Sequence, residues 1–222
     1  MRRSFYENGL SIVLFALFAL TLAGQSLTGH AEYNEEQRQH GQPVVGYAEY
    51  LSTGHFVEAT FENWESEFLQ MAAFVLLTAF LYQKGSAESR APGSVAEEDV
   101  RLLRQDVPAD APWPARRGGW VLRLYENSLA IAFAVLFLLS ALLHAAGGAE
   151  EYNQGLAEHG GGGPRLTAFG YMATSRFWFE SFQNWQSEFL SVFAMVVLSI
   201  FLRQRSSPES KPVHAPHSET GR

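Results

Sequence analysis

Four long apolar runs alternate with polar connections along the chain. No Asp, Glu, Lys or Arg interrupts residues 10–24, 68–82, 129–146 and 189–202. Around the last run, the aromatic residues Trp178, Phe182, Trp185 and Phe189 are spaced by four, three and four positions, which is the period of an α-helix. The pattern therefore predicts four long helices and no sheet.

The length of these runs predicts an all-α integral membrane protein with four transmembrane helices. About 20 residues, at a rise of ~1.5 Å each, cross a hydrocarbon core of about 30 Å. The first and third runs reach that length as helices over residues 5–27 and 123–146. The second and fourth must extend backwards into polar sequence, which predicts helices over 56–84 and 176–205, with Thr53 and Thr174 or Ser175 as N-caps.

One hairpin of two helices is written twice in the sequence. Tyr-Glu-Asn occurs at residues 6–8 and 125–127, and Glu-Tyr-Asn at 32–34 and 151–153, each time 119 residues apart. After a glycine run at 160–163 the offset becomes 121, and residues 63–69 match residues 184–190. Because each repeat contributes two spans, we expect two tandem parallel helical hairpins, related by an axis along the membrane normal.

The first apolar run also has features of a signal peptide, since Met1-Arg2-Arg3 precedes it and small residues follow it. Its partner in the repeat, however, lies in mid-chain, where a signal peptide has no role. We therefore expect both runs to be retained as membrane helices.

The charges change the interpretation of an average composition. A mean hydropathy of −0.07 and 18% charged residues resemble a soluble protein, but the charges lie in the connections and the ends of the chain. Lys and Arg gather before the first helix, between the hairpins and after the last helix, which predicts cytoplasmic termini and a cytoplasmic linker. The net charge of −7 offers no basic stripe for nucleic acid, and the absence of cysteine excludes disulfides.

The predicted organisation has four parts. A first membrane hairpin covers residues 1–84, a cytoplasmic linker 85–119, a second hairpin 120–205 and a disordered cytoplasmic tail 206–222. Within the linker, the sequence predicts a short amphipathic helix over residues 95–107, with Val100, Leu103 and Val107 on one face. The tail is rich in Pro, Ser and His, which is typical of disordered segments.

The repeated segment Asn-Trp-x-Ser-Glu-Phe-Leu carries the candidate polar site. Its residues lie at i, i+4 and i+7 on one helix face in each repeat: Asn63, Glu67 and Gln70, and Asn184, Glu188 and Ser191. A carboxylate inside the membrane is costly and usually faces a bundle interior, so Glu67 and Glu188 could together hold a cation or a proton. The alternative places both among the lipid headgroups, beside Trp64 and Trp185 as interfacial anchors.

No motif nominates an activity. The sequence has no P-loop, no Gly-x-Gly-x-x-Gly, no His-Glu-x-x-His and no Gly-x-Ser-x-Gly, and we expect no enzyme activity, cofactor or metal. The leading prediction is a structural or accessory membrane component that contacts the lipid bilayer, other membrane proteins or further copies of itself. The alternative is a small cation or proton transporter or channel that uses the Glu67/Glu188 pair.

Three strings resemble a known family. They are Ser-Phe-Tyr-Glu-Asn-Gly-Leu-Ser at residues 4–11, Gly-Gln-Ser-Leu-Thr-Gly at 24–29, and Phe-Glu-Asn-Trp-Glu-Ser-Glu-Phe-Leu-Gln at 61–70. They are similar to an uncharacterised family of small bacterial four-span membrane proteins, of the kind called a domain of unknown function. The resemblance implies a bacterial cytoplasmic membrane and assigns no residue a role. The second repeat departs from the strings, with His144 for Gln25 and Gln183 for Glu62.

Overall fold

The computed structural model describes residues 6–90, 107–158 and 163–221 of the chain. These residues form helices, turns and irregular segments, and no strand occurs among them. Apart from its last residue, the linker helix predicted for 95–107 lies outside the described residues. The helices are α1 (Gly9–Gln39), α2 (Tyr47–Tyr50), α3 (Gly54–Phe80), α4 (Trp113–Arg117), α5 (Gly119–Glu126), α6 (Ser128–Glu158), α7 (Ala168–Met172) and α8 (Ser175–Phe201).

Four of these helices are long, and three of the four are apolar enough to cross a membrane. Those three are α1, α6 and α8. The fourth long helix, α3, has 27 residues and is not among these candidates, because its first half carries four glutamates. The all-helical fold is therefore confirmed, together with three candidate membrane spans.

The bounds of α1 and α6 differ from the prediction. Both helices have 31 residues and continue to Gln39 and Glu158, about twelve residues past the expected ends. The extension of α1 is polar, yet Tyr33, Asn34 and Gln37 within it are buried, so tertiary packing stabilises these turns. The predicted start of the third span at residue 123 falls inside α5, which Asn127 separates from α6.

The predicted N-caps of α3 and α8 are present. The Thr53 hydroxyl accepts the Phe56 backbone N–H at 3.3 Å, and the Thr174 hydroxyl accepts that of Phe177 at 3.3 Å. Of the two candidates in the second repeat, the cap is Thr174, because α8 begins at Ser175. Each cap satisfies an N–H that the first helical turn leaves without a partner.

α3 and α8 end at Phe80 and Phe201, four residues before the predicted ends. After each end, a backbone N–H bonds a serine hydroxyl instead of continuing the helix: Gln83 to Ser89 at 2.8 Å, and Gln204 to Ser210 at 2.9 Å. The residues after 205, predicted to be disordered, form hydrogen-bonded turns as far as residue 221.

The chain divides into two compact units. The first unit comprises Met1–Phe61 and Leu142–Phe177, and the second comprises Glu62–Ala141 and Trp178–Arg222. In the first unit the buried apolar core is formed by Ala145, Ala149, Tyr171 and Phe177.

Candidate functional sites in the two units

A row of polar contacts in the second unit joins α3 to α8. The Gln70 side-chain amide donates hydrogen bonds to the Ser191 hydroxyl and to the Glu188 backbone carbonyl, both at 2.9 Å. Ser191 is the counterpart of Gln70 in the repeat, so these equivalent positions lie side by side. Gln70 is 8% exposed, and its amide is satisfied inside the unit.

Two further contacts continue this row towards the start of α3. The Asn184 side-chain amide donates to the Glu62 carboxylate, and the Trp185 indole N–H donates to Glu65 Oε1 at 3.2 Å. Glu65 is 1% exposed, which makes it one of the most buried carboxylates of the described residues. We call this row the polar seam; its members are Glu62, Glu65, Gln70, Asn184, Trp185, Glu188 and Ser191.

The structure distributes the residues of the predicted polar site unevenly. Gln70, Asn184 and Ser191 bond within the seam, while Asn63 and Glu67 are exposed. Glu188 is partly buried, and the Glu67 carboxylate acts on it electrostatically. The carboxylates most deeply placed in the structure are therefore Glu65 and, in the first unit, Glu58, rather than the Glu67/Glu188 pair.

The two predicted interfacial anchors have partly buried side chains. The Trp185 ring packs edge-on against Phe137, Trp178 and Phe182, with centroids 6.2, 6.2 and 5.4 Å away. Trp185 is therefore part of an aromatic cluster as well as a donor in the polar seam. Trp64 is likewise partly buried.

A second constellation, in the first unit, centres on Glu58. Tyr171 is fully buried, and its hydroxyl donates to Glu58 Oε1 at 2.9 Å. The Arg176 guanidinium lies 3.6 Å from the same oxygen, and its side chain is half exposed. A carboxylate that is 7% exposed thus has both a neutral donor and a cation, which compensate for its removal from water.

His144 lies beside this carboxylate and is fully buried. Its ring stacks on Phe177 with centroids 4.8 Å apart and meets Tyr171 edge-on at 6.4 Å. A ligand atom of His144 lies within 4.8 Å of one of Glu58, so the two residues could contribute an imidazole nitrogen and a carboxylate oxygen to a shared proton or a metal ion.

Close helix packing positions Glu58. A side-chain carbon added at Gly147 would collide with the Glu58 backbone nitrogen, and one added at Gly54 would lie 2.7 Å from the Glu151 nitrogen. Glycine at both positions allows the backbones of α3 and α6 to touch, as small residues do between membrane helices. This contact fixes Glu58 against the helix that carries His144.

The equivalent place in the first repeat is built differently. Tyr50, the counterpart of Tyr171, is 2% exposed, and its hydroxyl lies 3.3 Å from His55 Nδ1. Burial raises the pKa of Tyr50 above its usual value, and the charges of Glu32 and Glu151 raise it further. Gln25, the counterpart of His144, donates to the Thr60 hydroxyl at 3.4 Å.

Glu58, His144, Tyr171 and Arg176 were not among the residues nominated from the sequence. The signal that could have found Glu58 and His144 is departure from the repeat. Where the first repeat has Gln25, the second has His144, and where the first repeat has Glu58, the second has Phe179. Substitutions of this kind are invisible to a search for symmetric pairs.

A comparison with known protein families assigns the chain to a family. The sequence model of a family described as a domain of unknown function (DUF6766) matches residues 1–222. The chain belongs to this family. No curated protein and no solved structure matches the DUF6766 chain. The resemblance inferred from the three sequence strings is confirmed as membership of a family without an assigned function, so the function must be argued from the geometry.

Proposed function

We propose that the DUF6766 chain is a four-span membrane protein of two parallel hairpins, with α3 as the fourth span. The polar seam supports this arrangement, because Gln70 pairs with its counterpart Ser191, and Glu62 pairs with Asn184 further towards the N-termini of the same helices. Two helices paired in this order run in the same direction. α3 and α8 also have equal lengths of 27 residues and equivalent ends, as a duplicated hairpin requires.

We further propose that both termini and the linker face the cytoplasm of a bacterial cell, as the distribution of Lys and Arg favours. The natural chain has no cysteine, so single cysteines report on one position each. We expect a membrane-impermeant maleimide to label Glu49→Cys in spheroplasts, and Asp110→Cys only after permeabilisation. Labelling of Asp110→Cys in intact spheroplasts would overturn this topology.

Within that membrane, we propose a structural or accessory role in which the two hairpin connections form a fixed contact surface. The observation that carries this proposal is a pair of identical side-chain clamps. Asn34 donates to the Val45 carbonyl at 3.0 Å and accepts its N–H at 2.8 Å. Asn153 bonds Leu166 in the same way, at 2.9 and 2.8 Å. Each clamp fixes the connection to the helix before it.

These fixed connections expose apolar side chains. Phe169 is 75% exposed on the second connection, and Val44 is 52% exposed on the first. Large apolar groups held on an ordered surface outside the bilayer suit contact with another protein or with a second copy of the chain. A flexible loop would gain less from such residues, because binding would have to order it first.

Photo-crosslinking tests the accessory role. We expect a benzophenone amino acid at Phe169 to give one defined protein adduct in native membranes, and differently tagged copies to show whether that adduct is a second DUF6766 chain. The same group at Val213, an exposed residue after α8, is the matched control and should not give that adduct. If Phe169 gives only lipid adducts, the contact surface does not exist.

A second candidate function is cation or proton transport. The observation that favours it is that the charge of Glu67 acts on the partly buried Glu188, beside the polar seam. Transport predicts that Glu67→Gln with Glu188→Gln abolishes a cation or proton flux in proteoliposomes while the protein still assembles. An unchanged flux, or none in the natural protein, would remove this candidate.

A further inference from the structure

Two equivalent turns follow α3 and α8. Residues 83–89 and 204–210 share the pattern Gln-x-x-Ser-x-Glu-Ser, 121 residues apart. In each turn the glutamate N–H bonds the serine two residues earlier: Glu88 to Ser86 and Glu209 to Ser207, both at 3.2 Å. We call residues 83–89 the first turn and residues 204–210 the second turn.

The first turn is bound to α8 and to the residues after the second turn. The Ser86 and Ser199 hydroxyls are hydrogen-bonded at 3.0 Å, and the Ala87 N–H donates to Ser199 at 3.3 Å. The Gly85 N–H donates to the Thr220 hydroxyl at 3.1 Å, and the Gly221 N–H donates to the Ser86 carbonyl at 2.8 Å. Residues 211–221, the C-terminal segment, are therefore docked on the first turn.

Lys211 organises the C-terminal segment from inside. Its ammonium group donates to the backbone carbonyls of Pro216, His217 and Glu219, at 3.3, 3.1 and 2.8 Å, and the residue is 5% exposed. Burial lowers the pKa of Lys211, Arg203 lowers it further, and Glu219 raises it. With all three of its N–H groups used, Lys211 is a structural cation of the segment.

The docked arrangement brings the two equivalent glutamates together. Glu88 and Glu209 lie close enough to share a hydrogen bond, and burial raises the pKa of Glu88 to about 7, with a further contribution from Glu209. Among the described residues, Glu209 is the charged group that acts on Glu88. Arg203 and Glu219 lie in the same region and act on Lys211.

We propose that the paired turns are a pH-operated latch, in which a proton shared by Glu88 and Glu209 holds the C-terminal segment on the first turn and its loss releases the segment. Two neighbouring carboxylates repel each other when both are ionised, whereas a carboxylic acid donates a hydrogen bond to a carboxylate. The latch lies at the C-terminal ends of α3 and α8.

The direction of the pH effect follows from the raised pKa of Glu88. The docked state binds the proton more tightly than the released state, in which Glu88 has the ordinary value of 4.5. Docking is therefore most favourable below about pH 4.5 and weakens as the pH rises towards about 7, where the proton is lost from the docked state. Near neutral pH, a small change in pH therefore alters the fraction of molecules in which the C-terminal segment is docked.

A distance measurement between two exposed positions tests the latch. We expect nitroxide labels on Lys84→Cys and Ser218→Cys, in the full chain in nanodiscs, to give one short distance at about pH 5.5 and a longer, broader distribution at about pH 8.5. The cysteine-free chain needs no other substitution.

Three variants separate the latch from a general effect of pH. Glu88→Gln cannot ionise, and we expect it to keep the short distance at both pH values. Glu219→Gln removes a neighbouring carboxylate that does not act on Glu88, and it should keep the response of the natural chain. Lys211→Met removes the amine from three carbonyls and should release the segment at every pH.

Three results would overturn the proposal: a short distance at every pH in the natural chain, a pH response that persists in Glu88→Gln, or a long distance in all variants at about pH 5.5. Circular dichroism of each variant shows whether the long helices remain folded. The test therefore does not depend on the function proposed above.

Discussion

Tyr50 and Tyr171 occupy equivalent positions in the two repeats and differ in the partner of their hydroxyl groups. Both are buried, and each ring packs on a glycine of the preceding long helix, Gly29 or Gly148. The Tyr50 hydroxyl meets His55, whereas that of Tyr171 donates to the carboxylate of Glu58. The aromatic packing is common to both repeats, while the polar chemistry differs between them.

This difference indicates where a specialised function would lie. Packing and clamps that occur twice are explained by the requirement to fold two similar hairpins. A buried carboxylate beside a buried histidine occurs once among the described residues of the first unit, and the repeat does not require it. The predictions below test which contacts are common framework and which belong to one repeat.

The largest effect should come from closing the helix contact at Gly147. We expect Gly147→Ala to lower the free energy of unfolding by about 2–3 kcal/mol, because its new carbon meets the Glu58 backbone, which cannot rotate away. Gly155→Ala in the same helix is the control: it meets nothing within 4 Å and should gain up to ~1 kcal/mol from helix propensity. Denaturation in detergent measures both, and equal effects would show that the contact is absent.

The two asparagine clamps should be equally important. Asn34→Ala and Asn153→Ala each remove two hydrogen bonds to a backbone, and we expect each to cost about 2 kcal/mol. A difference between them of more than ~1 kcal/mol would contradict a common framework. Hydrogen exchange at Val45 and Leu166 locates the loss in the affected connection.

The hydroxyl groups of Tyr171 and Tyr50 should contribute unequally to stability. Tyr171→Phe removes the hydroxyl that donates to the buried Glu58 carboxylate, and we expect a loss of about 1.5–2 kcal/mol in stability. Tyr50→Phe removes a longer contact to His55 and should cost about 0.5 kcal/mol. The same unfolding titration compares the two variants. A larger loss of stability in Tyr50→Phe than in Tyr171→Phe would contradict the difference between the two hydroxyl partners.

The smallest effect should be a gain at Ser206. This residue has φ of +68°, in the position of the second turn that Gly85, with φ of +86°, occupies in the first. We expect Ser206→Gly to stabilise the second turn by about 0.5–1 kcal/mol, since glycine adopts this conformation without a steric penalty. A loss of stability in thermal unfolding would show that the Ser206 side chain stabilises the turn by more than its positive φ destabilises it.

Much of the helical framework could be predicted because it depends on local signals. Apolar runs located the long helices, and threonine before each polar helix start located the caps of α3 and α8. The ends were less predictable. Tyr33 and Asn34 extend α1 because tertiary contacts bury them, and serine hydroxyls end the helical bonding after α3 and α8.

The candidate sites also differ in how far local sequence signals predict them. Gln70 and Ser191 were placed on matching helix faces, and their hydrogen bond agrees with that placement. Glu58, His144 and Tyr171 come from three separate helices, and only the folded chain shows that they meet. Their sequence separations carry no periodic signal, so the one indication was that Glu58 and His144 differ from their counterparts in the repeat.

The central claim is that equivalent faces of α3 and α8 lie side by side. Gln70→Cys with Ser191→Cys, treated with a short bifunctional thiol reagent in membranes, tests it most directly. We expect a crosslink within one chain for this pair, and none for Met71→Cys with Ser191→Cys, since Met71 is at the next, exposed position of α3. Equal crosslinking of both pairs, or crosslinks only between separate chains, would contradict it.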